Sequence, residues 1–120
     1  MRPFDDGVIV HTPDEGALVD EHLAAGVLEA TRTLAGGRPV SVVVDLRRVA
    51  FADQASRSAF AADPAGGVEI ATALVAGPRV SELLANLCLR EKPLRPTSVF
   101  ESPEEARAWG AEQLRIHVES

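Results

Sequence analysis

The run Val40-Ser41-Val42-Val43-Val44 sets four β-branched valines around one small hydroxyl, with almost no alternation between apolar and polar positions. A strand with one wet face alternates; a strand without alternation is covered on both faces, as in the middle of a largely parallel sheet with helices on either side. The rest of the chain supplies the elements to provide that cover.

Gly7 to Thr12 reads as a strand ending at the turn Pro13-Asp14-Glu15-Gly16, after which Ala17-Leu18-Val19 returns as the second arm of a short antiparallel hairpin. Asp20 is suited to cap a helix, and Leu23, Val27, Ala30 and Leu34 recur at helical spacing until Gly36-Gly37. After Asp45-Leu46-Arg47-Arg48 the chain reads as irregular up to Asp53. That residue caps a second helix through about Ala62, stopped by Asp63-Pro64 and Gly66-Gly67. Val68 to Ala76 is a third major strand. Pro78 suits the first turn of a third helix, whose stripe Val80, Leu83, Leu84 and Leu87 runs to about Arg90. Thr97 to Phe100 is a short strand, and Ser102-Pro103-Glu104-Glu105 combines an N-cap, a proline in the first turn and a capping-box glutamate. The order β-β-α-β-α-β-α-β-α predicts one α/β domain over residues 1–120, with its core at about 7–114. Its sheet is mostly parallel, of about five strands with about four helices, and has room for an antiparallel first strand at one edge.

Composition narrows the function classes. A net charge of −6 opposes nucleic-acid backbones and anionic bilayers, and a chain with no Tyr, four Phe and one Trp offers no base-stacking platform. One Cys makes no internal disulfide, no apolar run reaches membrane-spanning length, and Met-Arg-Pro-Phe-Asp-Asp opens without an apolar leader, so a cytoplasmic protein is expected. His11, His22 and His117 lack zinc-type spacing, and no dinucleotide or phosphate-loop glycine pattern occurs, so neither metal nor cofactor is expected.

Val42-Val43-Val44-Asp45-Leu46, with Asp53 following eight residues after Asp45 at the mouth of a helix, resembles the STAS domain, the fold of anti-sigma-factor antagonists. That family carries Asp-Leu-Ser, five residues, then Asp-Ser-Ser-Gly. Gly77-Pro78-Arg79-Val80-Ser81, Asn86-Leu87-Cys88-Leu89-Arg90, Lys92-Pro93-Leu94-Arg95-Pro96-Thr97 and Phe100 to Trp109 are similar to an actinobacterial STAS-like branch with no assigned chemistry. The resemblance spans most of residues 7–114 and implies a STAS-like sandwich that docks onto a partner. In the antagonists the residue after the second Asp is a serine phosphorylated by a partner kinase; here it is Gln54, followed by Ala55 and only then Ser56. Without a hydroxyl at that position the phospho-switch is expected to be missing, unless Ser56 or Ser58 has taken it over. Arg47 likewise stands where the family has a small hydroxyl.

Arg47, Arg48 and Arg79 are expected to converge near the carboxyl ends of the central strands, where helix N-termini favour anions. With Gln54, Ser56 and Ser81 they form the candidate mouth for a partner or anion. The competing reading is a solvated rim whose arginines pair with Asp45, Asp53 or Glu82. Asp45 and Asp53 read as turn and cap residues in preference to an acid–base pair, Cys88 as a buried structural thiol, and Trp109 as a core anchor. The stripe Leu83, Leu84, Leu87 and Leu89 exceeds what one buried face needs, because Leu89 points away from Leu84 and Leu87; self-association there competes with burial under Pro93 to Pro96.

No complete catalytic constellation occurs. The expectation is a non-catalytic regulatory or interaction domain, docking onto a protein partner or forming a homodimer or higher oligomer. The alternative is a carrier of small apolar ligands, or a cofactor-independent enzyme, with a pocket of at least about 300 Å³ at the carboxyl ends of the strands.

Overall fold

The computed structural model describes residues 2–3, 6–62, 65–78 and 80–119. Its elements are β1 (Arg2–Pro3), β2 (Val8–His11), β3 (Ala17–Val19), α1 (Glu21–Ala35), β4 (Val40–Asp45), β5 (Val49–Ala52), α2 (Gln54–Ala62), β6 (Glu69–Val75), α3 (Val80–Arg90), β7 (Thr97–Phe100) and α4 (Pro103–Glu119). A five-stranded sheet has the order β1-β2-β4-β6-β7, and β3 pairs with β5 in a separate two-stranded sheet. The valine run is β4; it lies between β2 and β6, parallel to both, and its first four residues are buried.

Two strand readings are corrected. The strand starting near Gly7 is not antiparallel and forms no hairpin with Ala17 to Val19. It pairs parallel with β4, while β3 pairs parallel with β5 in the stretch expected to be irregular. Hydrogen bonds from Gly16 N–H to the Arg48 carbonyl (2.7 Å) and from Asp53 N–H to the Val19 carbonyl (3.0 Å) brace the small sheet at both ends. An antiparallel strand does occupy that edge, but it is Arg2–Pro3.

The helices divide unequally between the two faces. Val8, Val43, Ala73 and Val75 point to one side and pack against Ala106 and Leu114 of α4. The other side meets α1 through Ala35 against Ile9, Val40 and Val42, and α3 through Leu84 and Ala85 against Leu74 and the β5 residues Val49 and Ala52. Helix α2 lies between α1 and α3.

Capping follows the sequence closely. The Asp20 carboxylate accepts from Leu23 N–H (2.8 Å), and Gly36 ends α1 at φ 59°, a conformation that favours glycine. At the start of α4 the Glu105 N–H donates to the Ser102 hydroxyl (3.2 Å), which itself donates to the Glu105 carboxylate (3.3 Å). The buried stripe of α1, however, is Ala24, Leu28, Thr31 and Ala35, rotated from the expected one; Leu23 and Leu34 are exposed. Small side chains let the helix approach the sheet. Thr31 is tolerated there because its hydroxyl donates to the Val27 carbonyl (2.9 Å).

In β6 one residue bulges. Val40 pairs with Glu69 and Ser41 with Ala71, leaving Ile70 unmatched. Strand side chains alternate, so Glu69 and Thr72 would face opposite sides of a regular strand; the extra residue puts both on the side of α1 to α3.

Candidate functional site: a cavity beneath three helices

Helix α1 packs on α2, α2 on α3, and α3 on the small sheet, and together they leave a cavity of about 360 Å³ against the face of the large sheet. Its walls are mostly aliphatic: Val42, Val44 and Leu74 from the sheet, Val27 and Leu28 from α1, Phe60 from α2. Exposed Thr12, Asp14 and Leu23 also line it, so it reaches the surface beside the end of β2. It is not confined to the carboxyl ends of the strands, as the carrier alternative expected, but runs along the face from Glu69 at the start of β6 to Leu46 just beyond β4.

Five polar groups stand out against the apolar wall. Glu69, Thr72 and Arg95 form a closed network: Arg95 Nη2 is 2.9 Å from Glu69 Oε2, Arg95 Nε donates to Thr72 Oγ1 (2.8 Å), and Thr72 donates to Glu69. Arg95 Nη1 also donates to the Ala61 carbonyl (3.2 Å), tying the end of α2 to the network. The remaining two groups are incompletely paired. Arg57 Nη1 donates to the Ala52 carbonyl and its guanidinium lies 5.6 Å from the centre of the Phe51 ring, but its buried Nε has no hydrogen-bond partner among the described residues and lies 3.8 Å from Glu91 Oε1. His11 Nδ1 is likewise buried without a partner among the described residues. Burial pushes this imidazole below its usual pKa range, so it is neutral at pH 7. Cys88 lines the cavity too, and burial pushes its thiol up to about 11.

Arg47 and Arg48 of the expected cationic mouth turn to different partners. Arg47 folds back on Asp45, with Nη2 2.7 Å from Oδ2 and Nε donating to Oδ1 (2.9 Å). That hydrogen-bonded pairing holds the Asp45 carboxyl below its ordinary range. Arg47 and Ser81 both approach Gly77, whose N–H donates to the Ser81 hydroxyl (2.8 Å). Arg48 turns instead to Glu15 (3.6 Å) on the exposed turn before β3. Gln54 is exposed in the first turn of α2. Arg79 lies outside the described residues, as do Asp63 and Pro64.

Ser56 and Ser81 are buried, so neither presents a hydroxyl to a partner as the mouth required. The Ser56 N–H donates to Asp53 Oδ1 (2.8 Å) and its hydroxyl to the Asp53 carbonyl (2.8 Å), which makes Asp53 the cap of α2. Trp109 packs with the α4 core at 5.5 Å from Phe100. On α3 the residue that stands out is Leu83, 61% exposed, while Leu89 is half-buried.

Sequence reasoning missed the groups that meet in the cavity. His11, Arg57, Glu69 and Arg95 are scattered over the chain and form no motif. The available signal was an acidic residue, Glu69, inside an otherwise apolar strand, with an Arg enclosed by Pro93 and Pro96 further on.

Fold and cavity together define an α/β protein that keeps a ligand-sized space under a three-helix layer on one side of its sheet. The chain belongs to the family described as Domain of unknown function (DUF7793), whose model matches residues 3–113. No curated protein and no solved structure was matched to the chain. Among the described residues, no helix is long and apolar enough to cross a membrane.

Proposed function

We propose that this protein is a non-catalytic carrier or sensor that holds a small, largely apolar molecule in the cavity beneath α1, α2 and α3. The observation that carries this reading is the 360 Å³ space itself, which falls in the range of small-molecule sites and combines aliphatic walls with a few polar groups. Protein purified from its own host and examined by native mass spectrometry is expected to retain a small molecule, and a fluorescent apolar probe is expected to displace it. Filling the space with Val27→Phe, or independently with Ala61→Leu, should abolish probe binding while the fold persists. Undiminished binding by both filled variants overturns the reading.

A second reading is the STAS-like interaction domain without its phospho-switch. It is supported by exposed Gln54 in the first turn of α2 and by Leu18 and Phe51, paired across the small sheet and both exposed. Leu18→Glu combined with Phe51→Glu should then disrupt self-association or capture of a specific protein, measured by sedimentation and pull-down. A monodisperse wild-type monomer with no interactor counts against it.

A further inference from the structure

The polar groups of the cavity distinguish among apolar ligands, and this inference rests on the carrier reading above. Arg95 is neutralised by Glu69, and both side chains are almost wholly buried at 7% and 5% exposure. The ionic partner of Arg57 is Glu91, whose other oxygen accepts from the Ser58 hydroxyl. The charges therefore already balance, two cations against two carboxylates, and exposed Asp14 at the opening adds a negative group. A ligand carboxylate would leave water for a site in which, among the described lining residues, each cation already has a carboxylate partner, at a cost its contacts would not recover. An ammonium would forfeit the Arg57 donor, since both groups only donate.

We infer that the cavity selects an uncharged, mostly apolar molecule with one hydrogen-bond acceptor, such as a ketone or ester carbonyl, held at the Arg57 guanidinium. His11, neutral, lines the same cavity from the end of β2 and adds a second polar group to it. Size follows from volume: a dry apolar cavity of about 150 Å³ holds benzene, so 360 Å³ accommodates roughly a dozen non-hydrogen atoms.

The test uses the full chain with three probes of equal chain length: a ten-carbon methyl ketone, the carboxylate and the primary amine. Binding is read by calorimetry at pH 7.5 and by protection of Cys88 from a thiol reagent. The ketone is expected to bind at least about tenfold more tightly than either charged probe, because burying an unpaired ion costs several kcal/mol, and to slow labelling of Cys88. Arg57→Met should weaken the ketone about fivefold or more and should not weaken the amine, because it leaves the Glu91 carboxylate without its cation. If that variant does not fold, the wild-type ranking decides alone. A carboxylate that binds as tightly as the ketone overturns the selectivity while leaving the carrier reading intact. If no probe binds and Cys88 labels at an unchanged rate, both fail.

Discussion

Arg95 and Glu69, 26 residues apart, meet as a buried ion pair at 2.9 Å on the wall of the cavity, with Thr72 hydrogen-bonded to both. The contact depends on the bulge at Ile70, which turns Glu69 to the face that Arg95 reaches from the segment before β7. Removing one partner leaves a buried charge uncompensated. Glu69→Gln or Arg95→Met should therefore each cost about 3–5 kcal/mol, whereas the double variant should recover much of the loss. Denaturant midpoints of the four proteins check this.

The Asp45–Arg47 pair makes stability depend on acid. Asp45 has a depressed pKa in the folded state relative to an ordinary 3.8, so its contribution is fully present above that value and is lost as pH falls through the folded one. Arg47 is half-exposed, so Asp45→Asn should cost on the order of 1 kcal/mol at pH 7. The difference between the two proteins should shrink below about pH 4, as followed by urea unfolding across pH.

Asp53→Ala removes the cap of α2 and should cost about 1 kcal/mol. Ser56→Asp should unfold the start of α2 instead of mimicking a switch, because the native hydroxyl is buried and bonded to the Asp53 carbonyl. Circular dichroism and thermal midpoints distinguish the two. Phosphate mapping of protein from its host should find none on Ser56.

At the contact of α4 with β4, the Ser41 hydroxyl donates to the Gly110 carbonyl (2.7 Å), and a β-carbon on Gly110 would lie 3.1 Å from that of Ser41. Gly110→Val should cost about 2 kcal/mol by overpacking. Gly110→Ala should be closer to neutral, since a gain in helix propensity of about 1 kcal/mol opposes the crowding.

Cys88, with its thiol raised to about 11, should react with a disulfide reagent at pH 8 on the order of a hundredfold more slowly than a free thiol of ordinary pKa about 8.5, because so little of it is thiolate. Unfolding in urea should restore the full rate.

Local chemistry left the clearest marks in the sequence. The valine run, the caps Asp20, Asp53 and Ser102, and the core position of Trp109 are set by residues within a few positions of one another, because hydrogen bonds to free helix N–H groups and side-chain periodicity act over one or two turns. The α/β class follows from their order. Strand Val49–Ala52 did not stand out, since two alanines in four residues carry little β signal and its pairing with Ala17 to Val19 is supplied from a distance. The mouth of arginines illustrates the opposite case: Arg47 and Arg48 are neighbours in sequence, yet one turns to Asp45 and the other to Glu15.

What the amino-acid order determined by itself is therefore the set of elements and their ends. The tertiary structure alone decided which face each helix covers, the bulge that turns Glu69 inward, and the cavity in which His11, Arg57, Glu69 and Arg95 come together. A cavity is the volume left over when distant elements pack, so no stretch of sequence carries it; it depends on how closely α1, α2 and α3 can approach the sheet, and that is settled by shape and by the packing of all of them at once.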